Sequence, residues 1–141
     1  ALRVNGEALG IFRALGHRTG EAATLNSLAE VHLAKDCGEA LRCAREGHEL
    51  FRQLGDRRRT AMLERTVIGA LIGLGDSTEA LGMAKRGLAA CRESGDKRDE
   101  GSLLVLLAEI HLARAEHEQV PQAAAAAATV FKDLGDKRNE A

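Results

Sequence analysis

Along this chain, apolar positions recur three and four residues apart in successive stretches of about four turns each, and short polar breaks separate the stretches. The breaks are of two kinds. One is a glycine followed by a polar residue and a base: Leu15-Gly16-His17-Arg18, Leu54-Gly55-Asp56-Arg57, Ser94-Gly95-Asp96-Lys97 and Leu134-Gly135-Asp136-Lys137. The other is a short polar turn: Asp36-Cys37-Gly38, Gly75-Asp76-Ser77 and residues 115–118. The four glycines of the first kind follow one another at intervals of 39, 40 and 40 residues. Each period therefore holds two helices and two turns, and the regular return of such a unit marks a stacked-repeat protein.

The Gly-Asp step has a mechanical reading. Glycine ends one helix because the residue after the last turn prefers a left-handed conformation. Aspartate opens the next, its carboxylate accepting the free backbone N–H groups of the first turn. His17 stands in the first copy where the others have Asp, so a weaker cap is expected there. Pro121 falls in the first turn of its helix, where its missing N–H costs little. Small residues recur at matched positions (Ala29 and Ala108, Ala40 and Ala80, then Gly47, Gly87 and Ala127), so neighbouring helix axes can approach closely.

The phase of the pattern sets the organisation. Residues 1–14 align with second helices, 15–53, 54–93 and 94–133 form three repeats, and 134–141 open a further one. The expected fold is all-α: a solenoid of stacked antiparallel helix pairs, seven helices plus a C-terminal stub, in a single repeat domain over 1–141. Neither end carries a polar capping helix, which repeat arrays usually need. Self-association through those ends is therefore an alternative expectation.

Composition narrows the function. Hydrophobic residues make up 45% of the 141, but aromatics only 2%, so the core is built from Leu, Ala, Val and Ile. The net charge of −1 gives no global field for nucleic acid or an anionic membrane, and the lack of aromatics removes a stacking platform for bases. No apolar run is long enough to span a bilayer. Three cysteines without CxxC spacing argue against a disulfide framework and for a reducing, cytoplasmic setting. Cys91 falls where other repeats have Phe51 and Phe131, as a small core residue. Of the histidines, none forms an i, i+4 pair, so His32 and His111 are read as packing residues and no metal or cofactor is expected. No phosphate loop, nucleophile elbow or ordered triad is present, which argues against an enzyme. Bases follow every glycine junction (Arg18, Arg57, Lys97, Lys137), and are read as solvated helix starts or as a docking strip for an acidic peptide.

With its matched small residues and Gly-Asp junctions, the whole chain resembles the tetratricopeptide repeat (TPR) family. The closest variant has a 40-residue period and Leu-Gly-Asp-Arg-like junctions, as in G-protein-signalling modulators and bacterial regulators. It departs from the family's aromatic positions, with Leu25, Glu64 and Leu104 where Trp is common and His32, Leu71 and His111 where Tyr is common. The resemblance implies a right-handed superhelix whose first helices line a groove that holds a protein or peptide. The implied groove positions are Asn26, Glu30, Leu33 and Ala34, then Arg65, Gly69, Ile72 and Gly73, then Val105, Glu109, Leu112 and Ala113. Glu30 and Glu109 stand where the family often has a clamping Asn, which favours an apolar or basic amphipathic guest over a bound carboxylate terminus. Three functions follow from this reading: a protein-interaction scaffold first, a self-associating spacer second, and a ligand-sensing subdomain of a regulator third.

Overall fold

A computed structural model describes residues 2–140, with side chains through 138. Among them the chain is all-α, with seven helices: α1 (Leu2–Leu15), α2 (Arg18–Leu33), α3 (Cys37–Leu54), α4 (Arg57–Gly73), α5 (Ser77–Ser94), α6 (Lys97–Ala113) and α7 (Gln119–Glu140). Helix follows helix in a repeating array, as the periodicity predicts. The helices pack in two compact units, one ending at Leu74 and the other beginning at Gly75.

The junction residues behave as their chemistry requires. Gly16, Gly55, Gly75 and Gly95 all have positive φ, between 66° and 81°. Asp36, Asp56, Asp76 and Asp96 each accept the N–H three residues on, at 3.1, 3.0, 3.3 and 3.1 Å. Such a cap contributes about 1 kcal/mol. The expected weak cap at His17 is a real one: its Nδ1 accepts the Gly20 N–H at 2.9 Å, with the ring beside that of Phe12. An imidazole lone pair is only available on the neutral ring, so this cap lacks the charge that helps the aspartates.

The fourth junction departs from expectation. α7 runs on through Gly135 and Asp136 to Glu140, so the separate stub expected over 134–141 is not formed; residue 141 lies outside the described residues. A glycine inside a helix costs only about 1 kcal/mol, whereas breaking the helix would free several carbonyls. At the other junctions the next helix packs on the one before it, which offsets that loss.

In the first unit, α1 packs on α2, α2 on α3 and α3 on α4, and α2 also touches α4. Its core is Leu25, Cys43, Phe51, Leu63, Ile68 and Leu71, all fully or almost fully buried. Each large apolar side chain so buried contributes about 1.5–3 kcal/mol. In the second unit α6 packs on both α5 and α7 around Leu88, Leu103, Leu104 and Ile110. One contact repeats with the period: a Cβ on Gly47 would lie 3.0 Å from Leu63, and one on Gly87 would lie 3.1 Å from Leu103. The small residues are there because the next repeat's leucine occupies their side-chain space.

An ionic tie also repeats. Arg13 Nε donates to Glu21 Oε1 at 3.0 Å, and 79 residues later Arg92 Nε donates to Glu100 Oε1 at 3.1 Å. Each tie crosses a glycine junction and joins the helix before it to the helix after it. The middle repeat has Arg52 but Thr60 in place of the acid. Arg52 turns instead to Glu49 on its own helix, at 2.6 and 2.9 Å, and together with Gln53 it holds the Glu49 carboxyl down at about 2. Glu100 is buried at the protein surface's inner edge and also accepts from Lys97 Nζ at 3.0 Å.

Two predictions follow from these ties. Lys97 first and Arg92 second hold the Glu100 carboxyl below its ordinary 4.5. A depressed folded pKa stabilises fully above the unfolded value and is lost as pH falls through the folded one. E100Q is therefore expected to lower stability by about 1–2 kcal/mol at neutral pH. It should also flatten the decline in stability below pH ~4.5, as measured by urea unfolding across that range. In the middle repeat, T60E is expected to gain a cross-junction tie to Arg52. A double-mutant cycle with R52A should give a favourable coupling of about 0.3–1 kcal/mol, and zero coupling would refute the tie.

Candidate partner-binding surface

The groove positions expected from the sequence fall on α2, α4 and α6, the helices that open each repeat, except Ala34, which caps the end of α2. In the first unit they form two stripes that meet. Asn26, Glu30 and Leu33 follow one line along α2, and Arg65, Gly69 and Ile72 follow one along α4. The stripes touch where Leu33 Cδ2 lies 3.9 Å from the place a Gly69 Cβ would take. A Cβ at Gly69 would meet Leu33 at ordinary van der Waals distance, so the contact has room for a small side chain.

The polar end of that face is incomplete. Asn26 Nδ2 donates to Glu30 Oε1 at 3.4 Å, while Asn26 Oδ1 is enclosed and has no hydrogen-bond partner. An enclosed, unmatched carbonyl oxygen costs about 1–3 kcal/mol. Glu30 is exposed beside it, and Leu33 and Ile72 are half-buried further along. The face thus offers acceptors at one end and apolar surface at the other, which suits a backbone N–H or a basic side chain followed by an aliphatic one. In the second unit, Val105, Glu109 and Leu112 form their own stripe on α6, and all three are exposed.

The junction bases are mostly engaged within the fold. Arg18 donates to Gln53 Oε1 at 2.8 Å, Arg59 lies 5.6 Å over the Phe51 ring, and Lys97 binds Glu100. The middle junction differs in shape. There a depression of about 320 Å³ is lined by Arg52, Gly55, Arg57, Thr60, Ala61 and Glu64. Its origin lies in two departures from the repeat. Thr60 stands where Glu21 and Glu100 make their ties, and Glu64 stands where Leu25 and Leu104 are buried. Comparing the repeats position by position reveals it; a motif search does not.

The histidines separate once the structure is in view. His111 is buried, with Nδ1 3.3 Å from Glu116 Oε2. Arg114 bonds the same carboxylate and, with a smaller contribution from His111, holds it below the usual range. His32 has a different setting: one ring nitrogen, a Glu39 carboxylate oxygen and Cys43 Sγ all lie within 4.8 Å of one another. A search restricted to histidine pairs misses this group, whose sequence signal is the i, i+4 spacing of Glu39 and Cys43 on α3. Cys37, Cys43 and Cys91 are free thiols.

Among the described residues, no helix is long and apolar enough to cross a membrane. No family model matches the chain. Over 130 residues, 92% of its length, the chain is 33% identical to the regulatory protein AfsR of Streptomyces griseus, and the matched stretch is 12% of that protein.

Proposed function

We propose that this chain is a tetratricopeptide-type interaction module of a regulatory protein, and that the α2–α4 face of its first unit holds a segment of a partner. The observation that carries the reading is the exposed Glu30 carboxylate beside Asn26, with the half-buried Leu33 and Ile72 further along the same face. The similarity to a regulatory protein, in which the matched stretch is a small part, supports a role as one module of a larger regulator. In this reading the module recognises and transmits, and does no chemistry of its own. The guest is a peptide or helix with a basic or backbone donor at one end and aliphatic side chains behind it. In the second unit the α6 stripe keeps the acid and the aliphatic residue at Glu109 and Leu112, with Val105 in the place of Asn26.

Site-specific photocrosslinking in the native host tests this. A benzoylphenylalanine at position 30 or 72 is expected to trap a discrete adduct, and one at the exposed position 89 on α5 is not. E30K is expected to reduce trapping at 72 by tenfold or more. Equal trapping at all three positions would remove the α2–α4 face from consideration.

A second reading has its own observation. α1 leaves Val4, Ile11 and Leu15 between 59% and 73% exposed, an open apolar edge against which another copy can stack. Sedimentation of the isolated chain is expected to show concentration-dependent association that V4E/I11E abolishes. A monomer at every concentration would leave the interaction module alone standing.

A further inference from the structure

We propose that His32, Glu39 and Cys43 form a binding site for a single zinc-class divalent cation, between the end of α2 and the start of α3. Their three ligand atoms lie within 4.8 Å of one another. Around a tetrahedral zinc, such sulfur, nitrogen and oxygen ligands sit about 3.4–3.6 Å apart, so the group needs to close by little more than 1 Å. Side-chain rotation can supply that, because His32 and Glu39 are only half-buried, while Cys43 is fixed in the core. The backbone beneath is firm. The His32 carbonyl accepts the N–H groups of Lys35 and Asp36, and the Asp36 cap begins α3, so the two helices meet at a fixed angle to the site.

The ligand set selects the metal class. One thiolate, one imidazole and one carboxylate suit zinc and exclude the hard, all-oxygen preference of magnesium and calcium. Three protein ligands leave a fourth position for water. Binding displaces the Cys43 proton to solvent, so the thiol S–H bond is exchanged for a metal–sulfur bond without any change of oxidation state.

A cation already sits at this place. Arg42 donates to Glu39 Oε2 at 2.9 and 3.2 Å, and its Nη2 is 3.8 Å from Cys43 Sγ. That guanidinium is largely exposed and also reaches Glu46 at 3.6 Å, so it can withdraw toward Glu46 when a metal enters. Arg42 is therefore a competitor for the site. The site also belongs to the first repeat alone. The equivalent positions are Leu71, Glu79 and Met83 in the second repeat and His111, Gln119 and Ala123 in the third.

Titrating the intact chain with Co²⁺, then displacing it with Zn²⁺, tests the proposal. The expected result is one equivalent bound with a thiolate-to-cobalt charge-transfer band. C43S should abolish the band, and H32A and E39Q should each weaken binding by about tenfold or more. R42Q should tighten it, an effect that a merely structural cluster would not produce. H111A and C91S should bind as the unaltered chain does. If C43S fails to fold, the rise in Tm on adding Zn²⁺ decides, being present in the unaltered chain and lost in H32A and E39Q. Absence of the band in the unaltered chain, its survival in C43S, or unchanged affinity in both H32A and E39Q would each overturn the site.

Discussion

The fold depends on one two-residue device, a glycine in the left-handed conformation followed by a capping aspartate. At Gly55-Asp56 the glycine N–H returns to the carbonyls of Phe51 and Arg52, and the Asp56 N–H returns to Phe51. The Asp56 carboxylate then accepts from the first turn of α4. Carbonyls of one helix and N–H groups of the next are satisfied within a single step of chain. A non-glycine residue would add about 1–2 kcal/mol of strain at each such place. Because the device is so short, at Gly55 and at Gly95 it sets the next helix beside its predecessor, where apolar faces at helical spacing bury against each other.

That device explains why the fold was legible in the sequence and where legibility failed. Helix ends at Gly16, Gly55 and Gly95 could be read directly, because glycine and aspartate each do there what few residues can. At Gly135 the same Gly-Asp step stands inside α7. The motif makes a break cheap but does not compel one, since glycine and aspartate can both be accommodated within a helix. Local chemistry specifies where a helix can stop, and tertiary packing decides whether it does. At His17, a residue outside the usual capping set still presents a lone pair at capping distance, without the charge of an aspartate.

The candidate surface was legible only in outline. Repeat periodicity places Asn26, Glu30 and Leu33 on one line and Arg65, Gly69 and Ile72 on another. It cannot say that Asn26 Oδ1 is enclosed without a partner, because that depends on the packing of neighbouring side chains around it. Nor does the average repeat point to the middle junction, where Thr60 and Glu64 open a depression between arginines.

The informative positions are those where one repeat departs from its neighbours. Positions alike in every copy, such as the Gly47–Leu63 and Gly87–Leu103 contacts, answer to the stacking geometry and are fixed by it. A residue that differs in one copy is released from that demand or serves a local one. Cys43 is an example: its counterparts are Met83 and Ala123, either of which fills a core without a titratable group. Burial pushes the Cys43 thiol up, so the core gains nothing from ionising it. Yet it is placed one turn from Glu39 and opposite His32, with Arg42 holding the charge balance of the group. Stacking accounts for a small apolar residue at that position; it does not account for three ligand-bearing side chains converging there in one repeat of three.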